Sequence, residues 1–281
     1  MNATMQQMPG VFPQRGDPAL PDPCGGAEAV LFVVPAHDEE RTVGAVVRDI
    51  RKRFFCEVVV VDDASRDATA GEALAAGASV LPLPVRSGAW CAVQAGFRYA
   101  LARGARLAVT IDADGQHLPE TVGPLLEEMR RGRADVVIGG CPSRGGPLRR
   151  AALAILRRLG RLGVGDVTSG LRVYNARAMA ALLAPRAVRL DYQDIGVLLL
   201  LRRAGLTVAE IAVPMRPRAH GRSRIFRSPD RMLAYLWHSA LLCVRAGEDG
   251  GRALPGDVVS RRLELQGRAL QNAKLPGETG L

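Results

Sequence analysis

The chain of 281 residues has room for one large domain or two small ones, and its 48% hydrophobic content supplies a core built mainly from Ala, Val and Leu, because aromatics reach only 4%. The formal charge of +10 comes almost wholly from arginine, since Lys52 and Lys274 are the only lysines. That balance favours phosphate-bearing partners, while the shortage of stacking rings argues against nucleic acid. Cys24, Cys56, Cys91, Cys141 and Cys243 are scattered, odd in number and unpaired in spacing, which argues against a disulfide framework.

Residues 1–27 hold Pro9, Pro13, Pro18, Pro21 and Pro23 without periodicity; a disordered tail is expected, with no secretory signal. Residues 28–246 form the ordered domain. Ala29–Val34 reads as a strand, and Glu39–Arg53 carries Val43, Val46, Val47 and Ile50 at helical spacing. Glu57–Val61 is a strand, Asp67–Ala76 a helix closed by Gly77, and Ser79–Leu83 a short strand. Ala89–Arg103 is a helix closed by Gly104, Leu107–Ile111 a strand, Pro119–Arg131 a helix with Pro119 in its first turn, and Asp135–Ile138 the next strand. Arg231–Val244 reads as a last helix. Its stripe of Met232, Leu233, Leu236, Leu241 and Leu242 is expected to face the core, although Trp237 also suits a peripheral membrane contact. Residues 247–281 are Gly-rich and polar, a loose C-terminal tail with a short helix near 257–271. No stretch reaches the roughly 18 apolar residues of a membrane span.

The β-α-β-α order predicts an α/β fold with a mostly parallel central sheet covered by helices on both faces. Ligands in such sheets bind at the carboxyl ends of the strands. Three acidic clusters fall there: His37-Asp38-Glu39-Glu40, Asp62-Asp63, and Asp112-Ala113-Asp114. Two aspartates at i, i+2 after a strand project to one side if the backbone stays extended, and hard carboxylate oxygens suit Mg²⁺ or Mn²⁺. The same acids also suit ordinary turn and cap duties: Asp38 can cap the first helix, and Ser65 or Asp67 the second. No G-x-G-x-x-G follows the first strand, no G-x-x-x-x-G-K-[ST] is present, and no Cys/His pairing suggests zinc.

Taken in order, "VVPAHDEE", "VVVVDDASRDAT", "AVQAGFRYA", "TIDADGQHLPE", "DVVIGG" and "DVTSGLRVYNARAM" resemble the family-2 glycosyltransferases of GT-A fold, in particular the polyprenyl-phosphate (dolichol-phosphate-type) mannosyl- and glucosyltransferases. The resemblance covers about residues 29–244. It implies a metal-dependent, inverting hexose transfer from a UDP- or GDP-linked sugar, preferably to a polyprenyl phosphate. It also implies a cytoplasmic enzyme, peripheral on the inner face of the cell membrane. A soluble or cell-wall acceptor is the alternative within the class; a metal-dependent nucleotidyltransferase is the alternative outside it.

Residue by residue, the resemblance places Pro35, His37 and Glu39 at the nucleotide, with Asp38 standing where the family usually has Asn. Asp62 or Asp63 matches the acid beside the base and ribose, and Asp112, Asp114 and Gln116 match the metal–diphosphate motif. The loop Arg86-Ser87-Gly88-Ala89-Trp90 lacks the family's usual Lys, so Arg86 is the substitute for donor contact. Asp166, Ser169, Gly170 and Arg172 match the acceptor-side D-x-x-S-G-F-R. Asp194 matches the catalytic acid, with Asp191 the runner-up. Arg218, Arg222, Ser223 and Arg224 match a basic loop closing over phosphate, and Arg144, Arg149 and Arg150 are further candidates for acceptor phosphate.

Overall fold

The computed structural model describes residues 29–142, 146–188, 190, 194–216, 236–244 and 262–263. Its strands are β1 (Val30–Ala36), β2 (Glu57–Asp62), β3 (Ser79–Pro82), β4 (Leu107–Thr110), β5 (Val136–Gly140), β6 (Arg172–Asn175), β7 (Val208–Ala212) and the two-residue β8 (Arg262–Leu263). They form one sheet in the order β3-β2-β1-β4-β6-β5-β7-β8. All pairings are parallel except those of β6, which runs antiparallel to both β4 and β5. The mostly parallel sheet matches expectation. The helix expected near 257–271 meets β8 at residues 262–263 and otherwise lies outside the described residues, as does the tail 1–27.

The helices are α1 (Val43–Arg53), α2 (Thr69–Ala75), α3 (Ala89–Ala102), α4 (Val122–Arg130, after a 3₁₀ turn at Pro119–Thr121), α5 (Pro147–Leu159), α6 (Ala176–Leu182), α7 (Pro185–Val188), α8 (Ile195–Arg203) and α9 (residues 236–244). β1 shows why both sheet faces are covered. Its residues Val30 to Val34 are all buried, and they alternate between two cores: Leu31 and Val33 join the α3–α5–α6–α8 side, Val30, Phe32 and Val34 the α1–α2–α4 side. Each such apolar side chain contributes about 1.5–3 kcal/mol by leaving water. A Cβ on Gly96 of α3 would overlap Val33, so this glycine lets the helix lie close on the central strand. Among the described residues no helix is long and apolar enough to cross a membrane.

Two local expectations change. α1 begins at Val43, not Glu39, and Asp38 does not cap it: Asp38 Oδ1 instead accepts from the Arg66 amide at 2.8 Å. On α9, Leu236 and Leu242 pack against the core beside Cys243 while Leu241 is exposed, with Trp237 and Val244, so its apolar stripe is only in part a core stripe; Met232 and Leu233 lie outside the described residues.

Candidate functional site

Strand register brings the acidic clusters together. Pro35 and Ala36 stand opposite Val61 and Asp62, and Thr110 of β4 stands opposite Val33 of β1. The ends of β1, β2 and β4 therefore share one edge, where parallel sheets leave their loops open to ligand.

The loops after β1 and β2 are laced to each other. His37 Nδ1 donates to the Asp63 carbonyl at 2.8 Å, and its Nε2 lies 3.2 Å from Asp38 Oδ2. The Asp38 amide donates to Ser65 Oγ at 3.0 Å, Glu39 to Thr69 Oγ1 at 2.8 Å, and Glu40 to Asp67 Oδ2 at 3.2 Å. Asp38 has φ 52°, a left-handed conformation that Asn and Asp tolerate better than other side chains. That accounts for an aspartate being acceptable where the resembled family carries Asn. Asp67 also accepts from the Thr69 amide and hydroxyl as α2 begins. Burial raises its pKa, but the Thr69 and Glu40 bonds outweigh that and hold it below the usual 3.8.

Asp62 and Asp63 separate in role. Asp63 accepts from the Ser87 amide (2.6 Å) and the Gly88 amide (2.9 Å), one on each carboxylate oxygen, at the start of α3. This is a helix-terminus duty and engages both carboxylate oxygens of Asp63. Asp62 takes its bonds from Ser65 on Oδ1 alone, which leaves it the donor-side candidate of the pair. Arg86 is exposed in the adjoining loop, next to Ser87.

β4 ends at Thr110, and Ala113–Asp114 is a turn with Gly115 at φ 73°. Asp112 and Asp114 thus sit around a turn and not along extended backbone, a correction to the strand-end geometry. Both are half-buried. Asp112 Oδ2 lies 3.4 Å from Nε2 of His117, whose ring is buried. Asp114 Oδ1 accepts from the Gln116 amide at 3.1 Å. The Gln116 carbonyl accepts from the Arg216 amide at 2.8 Å, and the Gln116 side chain donates to the Arg216 carbonyl at 3.4 Å. Arg216 therefore lies beside the Asp112–Gln116 segment.

No three-residue group of His, Cys, Asp and Glu suited to hold a metal occurs among the described residues. Two half-exposed carboxylates fit Mg²⁺ or Mn²⁺, which complete their shell with water and substrate phosphate. A buried imidazole against one ligating carboxylate is the kind of outer partner that fixes such a ligand.

β6 delivers the acceptor-side motif to this point. Thr110 Oγ1 donates to the Gly170 carbonyl at 2.7 Å, Thr110 pairs with Arg172, and a Cβ on Gly170 would overlap the Asp112 carboxylate. The loop is held from behind. Glu210 of β7 accepts from the Gly165 and Asp166 amides, and Asp166 accepts from the Cys141 amide (3.1 Å) and the Thr168 hydroxyl (2.8 Å). Ser169 and Arg172 are fully buried: Ser169 Oγ donates to the Gly139 carbonyl at 2.5 Å, and Arg172 donates to the carbonyls of Ser169 (2.9 Å) and Val167 (2.8 Å). Both shape the loop from inside. Arg149 is at the loop itself, its Nη2 2.8 Å from Thr168 Oγ1.

Asp194 is buried and is the N-cap of α8, its side chain accepting from the Gly196 amide at 3.4 Å. Burial and the nearby Asp194 charge together raise the pKa of the Cys243 thiol. The structure thus gives Asp194 a cap's duty, facing α9. Asp191, Arg144, Arg218, Arg222, Ser223 and Arg224 lie outside the described residues. An apolar hollow lined by Leu162, Val164, Leu198, Leu206 and Val208 sits at the opposite end of β7, away from the acids.

Sequence reasoning left His117, Thr168 and Glu210 without roles. His117 stands inside a motif and is legible there; Glu210 is an acid within an apolar run, a pattern it shares with Glu57 and Asp135.

The model of glycosyl transferase family 2 matches residues 31–183. An undecaprenyl-phosphate mannosyltransferase of Micrococcus luteus is 30% identical over 70% of this chain and 87% of its own length. A polyprenol monophosphomannose synthase of Mycolicibacterium smegmatis is 32% identical over 58% of this chain and 66% of its own. Among solved structures, glucosyl-3-phosphoglycerate synthase from Mycobacterium tuberculosis, in complex with Mn²⁺, UDP-glucose and phosphoglyceric acid, superposes with a TM-score of 0.60 at 25% identity, covering 78% of this chain and 79% of that one.

Proposed function

Because the chain belongs to glycosyl transferase family 2, we propose that it transfers a hexose, with inversion, from a UDP- or GDP-linked sugar to a polyprenyl phosphate. The observation that carries this reading is the meeting of Asp112 with Gly170, which sets the metal motif against the acceptor-side loop. On this reading the donor diphosphate and the acceptor phosphate meet beside that contact. The nucleotidyltransferase alternative falls with family membership.

The nucleotide occupies the edge between the loops 37–40 and 62–65, with Pro35 and His37 as walls and Asp62 as acceptor for base or ribose. Asp112 and Asp114 hold Mg²⁺ or Mn²⁺, with Gln116 beside them; the cation would neutralise charge developing on the leaving diphosphate. Arg149 holds the acceptor phosphate, and Arg218, Arg222, Ser223 and Arg224, which lie outside the described residues, supply further donors to phosphate. A phosphate acceptor is anionic at neutral pH, so orientation by arginines matters more than a strong base, and Asp194 is free to serve as a cap. Two relatives named for polyprenol-linked sugar transfer support the lipid acceptor. A soluble phosphorylated acceptor is the second reading, favoured by the phosphoglyceric acid bound in the M. tuberculosis enzyme.

A thermal-shift panel of UDP-, GDP- and dTDP-sugars with and without Mn²⁺ identifies the donor, since a ligand at a hundredfold excess over Kd stabilises the native state by about 2.7 kcal/mol. Radiolabelled transfer then compares undecaprenyl phosphate in detergent with 3-phosphoglycerate. Label in the organic phase supports the proposal; label only in the aqueous phase replaces it with the second reading.

A further inference from the structure

The hydroxyl of Thr168 has its one proton already committed. Its Oγ1 donates to Asp166 Oδ1 at 2.8 Å, and Arg149 Nη2 donates to the same Oγ1 at 2.8 Å. Chemistry fixes both directions, since a carboxylate only accepts and a guanidinium only donates. Toward Arg149 the hydroxyl therefore offers lone pairs alone. It can hold a cation there, and it has no proton left for a phosphate oxygen.

That hydroxyl is itself held from behind. Asp166 is buried and also accepts from the Thr168 amide at 3.0 Å and the Cys141 amide at 3.1 Å, while its own amide donates to Glu210 Oε1 at 2.8 Å. A chain of bonds thus runs from β7 through Asp166 and Thr168 to one guanidinium. A hydroxyl that donates to a carboxylate is a stronger acceptor, so the last bond gains from the one behind it. Helix electrostatics do not explain where Arg149 stands. It lies in the first turn of α5, which also holds Arg150 and no acid. That end of a helix carries partial positive charge and disfavours cations. Thr168 also stands two residues before Gly170, the wall of the metal motif, so at most about 7 Å of chain separates the two.

We propose that Thr168 is a positioning residue: its carboxylate-backed hydroxyl pins one amino group of Arg149, holds the planar fork in one orientation toward the acceptor, and so sets the affinity for an acceptor that ends in a phosphate monoester. This rests on the reading of Arg149 as the acceptor-phosphate residue, whether the phosphate is carried by a lipid or by a soluble molecule.

The test is a double-mutant cycle of Thr168→Val with Arg149→Ala, with Thr168→Ser as the variant that keeps the hydroxyl. Thr168→Ala repeats the cycle should valine not pack. Acceptor KM is measured with undecaprenyl phosphate in detergent and with 3-phosphoglycerate. Inhibition by inorganic phosphate reads the phosphate group alone, and calorimetry with nucleoside diphosphate and Mn²⁺ reads the donor side. Thr168→Val is expected to raise the acceptor KM and the inhibition constant of phosphate by about tenfold, the usual worth of a bond to a charged group, at unchanged donor affinity. Thr168→Ser should behave as the wild type. In the Arg149→Ala background Thr168→Val should cost nothing further, because the hydroxyl acts through the arginine. Losses that add, equal damage to donor affinity, failure of serine to restore, or a wild-type KM in Thr168→Val would each overturn the proposal. The same coupling with 3-phosphoglycerate as the one working acceptor keeps the role of Thr168 and removes the lipid acceptor. A wild type that transfers sugar only to acceptors without phosphate would overturn both.

Discussion

Gly170 lies so close to Asp112 that a Cβ atom on the glycine would overlap both carboxylate oxygens. The acceptor-side loop thus forms one wall of the metal motif. Gly170→Ala must push Asp112 out of position, and small displacements of a metal ligand typically cost about 10–100-fold in affinity or activity. Calorimetric titration of nucleoside diphosphate with Mn²⁺ is expected to show a loss of that size. Wild-type affinity in the variant would mean that the wall has no bearing on the metal.

Asp112→Asn and Asp114→Asn are expected to abolish Mn²⁺-dependent donor binding and leave the melting temperature within about a degree or two, because both side chains are half-buried and Asn keeps their size and one acceptor oxygen. Metal-dependent binding that survives in either variant would remove that residue from the metal site.

Glu210 tests the support of the acceptor loop. Glu210→Ala strands the amides of Gly165 and Asp166, and each buried group left without a partner costs about 1–3 kcal/mol. The acceptor KM should rise several-fold while donor binding, read by calorimetry, stays unchanged; Glu210→Gln should recover part of the loss through its remaining acceptor oxygen. Equal damage to donor and acceptor binding would mark Glu210 as a general stability residue.

Asp194 separates capping from base catalysis. Asn caps helices as well as Asp does, whereas Ala costs about 1 kcal/mol. Asp194→Asn is therefore expected to keep kcat within a few-fold, and Asp194→Ala to lower the melting temperature. A fall of about a hundredfold or more in both kcat and kcat/KM for the stable Asn variant would restore a general base at this position.

Asp135 supplies a pH signature remote from the site. Burial raises its pKa, but bonds from the Thr207 amide, the Asn175 side chain and the Thr207 hydroxyl, with the Arg177 charge, bring it below 3.8. A carboxyl depressed in the folded state stabilises the protein above its unfolded pKa of about 3.9, and that share is lost as pH falls through the folded value. Asp135→Asn should therefore melt lower than the wild type at pH 7, by about 1–3 kcal/mol of stability. The gap should close as pH drops below about 4. A gap independent of pH would show that the charge contributes nothing.

Much of this molecule is legible along the chain. The alternation of Val-rich runs with helical spacing yields the layered sheet, and acids that directly follow apolar runs at Asp62 and Asp112 must lie at strand ends, where burial stops and solvent begins. Such signals are local: they need only the periodicity of a few neighbouring residues. Tertiary structure decided the rest through contacts between distant segments. β6 inserts antiparallel between β4 and β5 and so carries Gly170 to Asp112, a pairing across about sixty residues that no local pattern encodes. The same long-range packing turned Arg172 and Ser169 inward, gave Asp63 the start of α3, and left Glu210 to hold a loop far from it in sequence. An arginine or an aspartate carries the same charge wherever it falls. Whether it meets a backbone amide, a core carbonyl or solvent depends on which elements the fold brings beside it.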